Sequence, residues 1–558
     1  MKIKIDGSFD SFRQLRENGC YYVDKTEMLQ EYLEERFKKA VLFTRPRRFG
    51  KTLAMTMFRD FLDIRQDSRS IFDGLKIMEH GETVEKYMNQ YPVIFISLKE
   101  VFGDSYEHVF QNFQIAVSKL CQSYEFLLDS EKISSSGKNF LKKLIDQEAN
   151  QPNTEQALDL LSSMLYSHYG KEVFIIIDEY DVPMAKALGH PFYDKVRDIV
   201  EHMLSYVCKT NDKIRGVILS GCLYTVKNST YTGVNNIIPY SILNPIYDNY
   251  FGFTGEEVKK LLAEAGFSEQ FDRVEKWYDG YIFGRSRMYC PWDVLLYVNS
   301  LVEGTYSDAM GPESYWANSS EASLNIVQGF LGKTKGVNEK FEQLLAGKEI
   351  DCLVNEYLPY HRIYEDGENI WSALLETGYL TKTVTEKMKR MPLRIPNREI
   401  QEVFRQEIWL FFKDRVDNAF ISDFVNALWA GETQRAKKSL DLILEATLSF
   451  YHEYQEYSYH LILAGFFTGL GYSVFSELET GYGRSDLVVT DAARGRCIIL
   501  ELKHVKEATD MESALSEALD QMKDKHYDSR LIYQGYTTRI QYGMAFCDKN
   551  VIVEKQMV

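Results

Sequence analysis

Three groups of residues in this chain have the types and spacing for chemistry on phosphates. The first is Arg45-Pro46-Arg47-Arg48-Phe49-Gly50-Lys51-Thr52, set between the short apolar run Val41–Thr44 and a helical pattern of Leu53, Met57, Phe58, Phe61 and Leu62. A nucleoside triphosphate needs many donors at close range, and the backbone N–H groups and dipole of a helix N-terminus supply them. In that setting Gly50 lets the backbone approach, Lys51 reaches the outer phosphates and the Thr52 hydroxyl holds Mg²⁺. Where such loops usually carry glycine, six residues before the lysine, this one carries Arg45. G-K-T alone is a frequent accident, but here it lies where a strand hands over to an amphipathic helix, and a second half exists. The apolar run Val173–Ile177 ends in Asp178-Glu179, which delivers two carboxylates to the C-terminal edge of a sheet, where ligands bind in such folds. Asp178 is expected to hold Mg²⁺ through water and Glu179 to polarise the attacking water. A further strand, Ile214–Ser220, is expected beside the Asp178 strand, its end placing Ser220 or a neighbour near the γ-phosphate.

The third group is Asp486, Glu501 and Lys503. Side chains alternate along a strand, so Glu501 and Lys503 share a face. Asp486 opens the preceding strand after Gly481–Ser485, and a short hairpin would bring it beside Glu501. Two carboxylates then converge on one divalent ion, with oxygen ligands suited to Mg²⁺ or Mn²⁺. The metal would activate water against a phosphodiester, with Lys503 orienting that water or offsetting charge. An E-x-K triplet is ordinarily an exposed strand edge. The run Cys497–Leu500 before it is wholly apolar, however, so charged groups at its end need a reason. Glu456 is a candidate third metal ligand and Gln521 a partner for Lys503 or the scissile phosphate, while His460 and His526 are not required.

These groups need elements to position them. With 558 residues the chain exceeds the roughly 250–300 that one core supports, so two or three domains are expected. Strands alternating with helices over the first 230 residues imply a parallel sheet covered on both faces. Residues 133–154, rich in Ser, Gly, Asn and Gln, read as a loop flanking a helix, and residues 250–395 as a helical, aromatic-rich middle or lid domain. Past residue 450 a helix, three strands, a helix and two short strands form a separate α/β unit. A net charge of −16 argues against a nucleic-acid coat or a membrane-surface protein, although a local basic patch stays open. The eight cysteines show no C-x-x-C spacing, which argues against zinc and disulfide frameworks and for a reducing cytoplasm. No stretch approaches a membrane span, and the N-terminus lacks the apolar core of a signal peptide.

The stretches Phe43–Leu53 and Ile177–Pro183 resemble the bacterial AAA-ATPase-like family. Trp277–Tyr281, Pro291-Trp292, Tyr315-Trp316, Ile395–Asn397 and, at the far end, Tyr459-His460 with Asp486, Glu501 and Lys503 extend the resemblance over nearly the whole chain. It makes Arg45 a family feature. It implies a multidomain α/β protein: a P-loop NTPase sheet in 1–245, a helical lid in 246–400, and a restriction-endonuclease-like PD-(D/E)XK domain in 401–558 with its core at about 450–555. ATP and Mg²⁺ are the implied cofactors, with Mn²⁺ an option at the nuclease site, and DNA and a second copy of the chain are the implied partners. One departure is expected to matter. After Ser220-Gly221 such proteins usually show an arginine, and here Tyr224 takes that place, followed by Lys227. Hydrolysis would then be slow, or would draw on Lys227 or a neighbour's arginine. Two readings compete: an ATP-coupled nuclease acting on DNA in defence or repair, or an ATP switch or remodelling ATPase whose C-terminal domain binds nucleic acid or protein without cutting.

Overall fold

The computed structural model describes residues 3–209, 211–224, 236–306, 312–316, 340–341, 343–344, 347–384, 386, 388–404, 417–447, 456–480, 483–525, 531–532 and 535–556. The chain divides into two compact units, Met1–Ala322 with Asp351–Glu399, and Ser323–Ile350 with Ile400–Val558.

The first unit is built on a five-stranded parallel sheet. Its strands are β1 (Ala40–Thr44), β2 (Val93–Ser97), β3 (Val173–Asp178), β4 (Ile214–Gly221) and β5 (Ile238–Tyr240), in the order β2-β3-β4-β1-β5. Every residue of β1 and β3 is buried, which is why they read as unbroken apolar runs rather than alternating ones. Each Val, Leu, Ile or Phe among them contributes about 1.5–3 kcal/mol on leaving water. Between the strand that carries the loop and the strand that carries the acids lies β4, with Phe43 opposite Ser220 on one side and Ile177 opposite Leu219 on the other. Strand β5 has no sequence signal, because Pro239 interrupts it. It pairs only with β1, at the sheet edge, where a missing N–H costs no ladder bond.

Residues 133–154 are mostly helix, Ser135–Ile145 and Gln151–Glu155, not loop. The serines and asparagines that suggested a loop are caps: Ser134 accepts from the Gly137 N–H and Asn150 from the Asn153 N–H. The middle segment holds helices Gly255–Ala265, Phe271–Tyr278, Pro291–Glu303 and Asn369–Thr377. It is not purely helical. Phe253–Thr254, Tyr281–Phe283 and Ser286–Tyr289 form a small antiparallel sheet, and Thr381–Lys382 pairs with Arg390–Arg394. Strands this short carry too little periodicity to read.

Gly280 welds two of these pieces. Its φ is +107°, and a Cβ there would fall 2.0 Å from the Pro396 carbonyl oxygen. Gly280→Ala is therefore expected to destabilise the first unit by about 2–4 kcal/mol, since both backbone strain and a backbone clash oppose it. Chemical denaturation checks this: a midpoint equal to wild type would contradict the packing.

The second unit contains an antiparallel-parallel sheet of β6 (Ser473–Thr480), β7 (Gly483–Asp491), β8 (Arg496–His504), β9 (Thr538–Cys547) and β10 (Asn550–Lys555), in that order. Only β8 and β9 run parallel. Helix Glu456–Gly469 packs on one face, where Tyr459 stacks on Phe546 at 4.2 Å, and helix Met511–Asp524 covers the other. Leucines 515 and 519 of the latter lie over Gly543. Among the described residues no helix is long and apolar enough to cross a membrane.

Candidate nucleotide and metal sites

The loop leaves β1 still tied to the sheet, with the Arg45 N–H on the Gly221 carbonyl at 3.1 Å. Arg48 and Gly50 both take positive φ, 68° and 81°, before helix Lys51–Leu62 begins. A Cβ on Gly50 would touch nothing, so the backbone angle and not crowding selects glycine. The first-turn N–H groups of that helix are the orphan donors a phosphate would use.

The structure brings Lys51, Thr52, Asp178, Glu179 and Ser220 together. The Thr52 hydroxyl donates to Asp178 at 2.9 Å, and Ser220 donates to the other oxygen of the same carboxylate. The Glu179 N–H reaches the Ser220 hydroxyl at 3.3 Å, and Glu179 sits at φ 51°, a left-handed conformation that a non-glycine residue keeps only when its surroundings impose it. Lys51 is 4% exposed, donates to the Pro46 carbonyl at 3.2 Å and lies 3.5 Å from the Glu179 carboxylate. Burial works against its charge, but Cys222, Glu179, Asp181 and Asp178 outweigh burial and raise its pKa. Burial, with the Glu179 charge, pushes Asp178 up to about 6, against the opposing bonds from Ser220 and Thr52 and the charge of Lys51. Two oxygen-bearing groups already in contact, Thr52 and Asp178, fit a divalent ion. A cavity of about 720 Å³ has both residues in its wall, together with Ser97, Asn112 and Gln14.

The remaining loop side chains divide. The Arg45 guanidinium is fully buried and donates to the carbonyls of Thr44, Tyr240 and Tyr247 at 2.7, 2.7 and 2.8 Å, with Phe251 stacked at 5.0 Å. Its side chain pins the loop to the end of β5 and to the backbone at Tyr247 instead of pointing to a ligand. Burial lowers its pKa to about 10, which leaves it charged. Phe49 is buried against Tyr281 and Phe283, and Arg48 lies over Trp292 at 4.0 Å. Pro46 packs against Gly378. Arg47 is half-buried and makes no hydrogen bond or ion pair with the described residues.

Two residues were not anticipated as part of this site. Asp181 is buried, accepts from the Cys222 and Leu223 N–H groups at 2.8 and 3.0 Å and from the Tyr360 hydroxyl at 2.9 Å, and leaves its second oxygen without a hydrogen bond. The run Asp178-Glu179-Tyr180-Asp181 hints at it, whereas Tyr360 has no signal, being 179 residues away and outside any motif. Tyr224, in the place of the expected arginine, is 5% exposed with its ring edge-on to Tyr357 at 5.3 Å. Lys227 lies outside the described residues.

Beneath the loop, Asp293 and Glu399 form a buried carboxyl pair, with Glu399 accepting from the Trp316 N–H at 2.7 Å. Burial raises both, Asp293 to about 6 and Glu399 to about 10, so the pair retains a proton at neutral pH. Glu399 ionises near 4.5 in the unfolded chain and far higher when folded, so the unfolded state loses its proton first and stability falls as pH rises above about 4.5. Glu399→Gln is expected to flatten that fall in urea titrations between pH 5 and 9, and an unchanged slope would contradict a protonated Glu399 in the folded chain.

In the second unit the β7–β8 pairing runs from Asp491 opposite Arg496 to Leu487 opposite Leu500, and Asp486 and Glu501 are the next residues of the two strands at that end. The Asp486 carboxylate accepts from the Leu502 N–H at 2.7 Å. Glu501 is 1% exposed, with Lys503 Nζ at 3.6 Å from its carboxylate, and Lys503 donates to Gln521 at 3.1 Å. His460 bonds the Asp486 carbonyl at 2.9 Å through Nε2, so it helps place the strand end. Asp486, Glu501, Lys503 and Gln521 thus occupy one end of the sheet on the face of helix Met511–Asp524. Two carboxylates at that edge fit a hard cation. The side chain of Glu456 and all of His526 lie outside the described residues, and among the described residues no group of three or more His, Cys, Asp or Glu is arranged to hold a metal.

Comparison with known proteins agrees with this division. Residues 7–231 match the family described as predicted AAA-ATPase, and residues 454–556 match the PD-(D/E)XK nuclease superfamily. A protein of Azotobacter chroococcum mcd 1, described as an uncharacterized protein in the vnfD 5′ region, is 24% identical over 550 residues, covering 95% of this chain and 94% of its own.

Proposed function

From the premise that an AAA-ATPase-like domain and a PD-(D/E)XK nuclease-superfamily domain share this chain, we propose that it is an ATP-binding enzyme that couples nucleotide binding and hydrolysis to metal-dependent cleavage of DNA. The observation that carries the first half is the Thr52–Asp178–Ser220 contact beside Lys51 and Glu179. Thr52 and Asp178 would hold Mg²⁺, Lys51 and the loop N–H groups the β- and γ-phosphates, and Glu179 the attacking water. Residues 246–400 act as a lid, supported by the seating of Phe49 on Tyr281 and Arg48 on Trp292. The second half rests on the Asp486 carboxylate held on the Leu502 N–H, beside Glu501 in the chain, with Lys503 3.6 Å from Glu501. There a bound Mg²⁺ or Mn²⁺ supplies Lewis acidity and an activated water. Asp486 and Glu501 orient it, and Lys503, steadied by Gln521, presents an N–H to the phosphodiester or the water.

Tyr224 favours a second reading, a nucleotide switch with slow turnover, because it stands where an arginine is expected just after β4. One preparation of the full chain distinguishes the two when ATP turnover and cleavage of linear and circular DNA are measured with Mg²⁺ and with Mn²⁺. Cleavage with turnover supports the enzyme. DNA retention without strand breaks at either metal selects the switch.

A further inference from the structure

We propose that Tyr360 is a positioning residue for the phosphate site, acting through Asp181 on the backbone that holds Lys51 and Glu179 in place; this rests on the reading of the loop as a nucleotide site. Tyr360 opens a short turn of the middle segment, Tyr360–Arg362. Its hydroxyl donates to Asp181 Oδ2 at 2.9 Å, and the N–H groups of Cys222 and Leu223 donate to the same oxygen at 2.8 and 3.0 Å. Asp181 is 1% exposed, and a carboxyl so buried is costly unless such bonds replace the water it has lost. One oxygen thus gathers the turn after β3, the end of β4 and the middle segment. Burial, with Asp181 and Cys222 alongside, raises the Tyr360 phenol well above its ordinary value, so the hydroxyl stays a donor.

The two strand ends form one packed piece. Tyr180 donates its hydroxyl to the Leu223 carbonyl at 2.6 Å and its N–H to the Ser220 carbonyl at 3.0 Å. A Cβ on Gly221 would fall 2.7 Å from the Asp181 carboxyl and from the Tyr180 ring, so no slack is left between them. Glu179 belongs to the same turn: its carbonyl accepts from the Val182 N–H at 3.2 Å, and its φ of 51° persists only while the turn imposes it. On the other side Cys222 Sγ lies 3.7 Å from Lys51 Nζ, which is 3.5 Å from the Glu179 carboxylate. A path of direct contacts therefore runs from Tyr360 through Asp181 and Cys222 to Lys51, and through the turn to Glu179. Displacing a reacting group by about 1 Å can cost about 10² in rate.

The residues around Tyr360 have contacts of their own. Glu356 accepts from the Ser241 hydroxyl at 2.6 Å, Tyr357 meets Tyr224 edge-on, and the His361 ring is 6.0 Å from that of Tyr193. Tyr224, in the place of the expected arginine, thus packs on this segment instead. Removing the Tyr360 hydroxyl leaves the segment docked and deletes only the bond to Asp181.

The test uses the full chain as wild type, Tyr360→Phe, Asp181→Ala, Asp181→Asn and the double variant Tyr360→Phe with Asp181→Ala. It reads ATP affinity, kcat and KM for Mg·ATP turnover, and the urea midpoint. Tyr360→Phe is expected to lower kcat about tenfold with KM within about threefold of wild type, and Asp181→Ala to lower kcat about 10²-fold. Asp181→Asn, which keeps an acceptor oxygen in place, is expected to turn over at least about tenfold faster than Asp181→Ala. The double variant is expected to be no slower than Asp181→Ala alone, because the hydroxyl then has nothing to act through. A Tyr360→Phe chain that loses stability yet turns over as wild type would overturn the proposal, and this variant decides alone if Asp181→Ala does not fold. Losses that multiply in the double variant, or an Asp181→Asn chain no faster than Asp181→Ala, would overturn it as well. A wild type that binds ATP without turning it over sinks the role of Tyr360 and leaves the nucleotide reading standing, whereas a wild type that binds neither ADP nor ATP sinks both.

Discussion

Lys51→Ala is expected to weaken Mg·ATP binding by about 10²–10³ and to abolish measurable turnover. Lys51 is buried, anchored by the Pro46 carbonyl and held 3.5 Å from Glu179, so its charge acts in a partly dehydrated site. A charge pair at about 4 Å in such surroundings is worth about 4 kcal/mol, and about 1.4 kcal/mol is tenfold in affinity, which sets the expected range. The same substitution leaves Asp178 and Asp181, both already raised by burial, with less opposing charge. Their pKa values should therefore climb further, and Mg²⁺ should have to displace protons to bind. Equilibrium titration with a fluorescent ATP analogue measures the effect, and circular dichroism of the variant separates a lost ligand from a lost fold. Binding within threefold of wild type would remove Lys51 from the site.

Glu501→Ala is expected to cut metal-dependent DNA cleavage by about 10³ or more while leaving ATP affinity within twofold. Glu501 and Asp486 are the two acids proposed to hold the metal at that end of β7 and β8, and losing one removes half of the charge they would offer a divalent ion. The expected change in stability is small or favourable. A carboxylate 1% exposed is costly to bury, and sites built for chemistry keep such groups at the expense of stability. Lys503 then loses its acidic neighbour and retains Gln521. Gel assays over a series of Mg²⁺ and Mn²⁺ concentrations, beside thermal melts, check both halves. Cleavage that persists in the variant would place the reaction elsewhere or in a contaminant.

Much of this arrangement is legible in the sequence because it is local. The strand–loop–helix at Val41–Leu62 and the run Val173–Ile177 with its two acids each carry their own signal. The hairpin of β7 and β8, which carries Asp486 on one strand and Glu501 on the other, does so as well. The features that escape a sequence reading are non-local or masked by residue type. Pro239 hid an edge strand, and Ser134 and Asn150 looked like loop residues when they cap helices. Arg45 looked like a phosphate ligand from its place in the loop, but its partners, the Tyr240 and Tyr247 carbonyls, are about two hundred residues on. Tyr360 and the Asp293–Glu399 pair join the site only through tertiary folding. No spacing rule reaches that far, since a satisfied buried charge is recognised by its partners and not by its neighbours in sequence.

The central claim is that one chain holds two hydrolytic centres and that the first controls the second. The most direct measurement is the rate of DNA cleavage by the wild-type chain at fixed Mg²⁺, monitored without nucleotide, with ATP and with a non-hydrolysable ATP analogue. The expected result is a cleavage rate that changes by at least about tenfold on adding ATP, the factor that about 1.4 kcal/mol of coupling gives, and a Lys51→Ala chain that no longer responds. A cleavage rate identical under all three conditions would contradict the account.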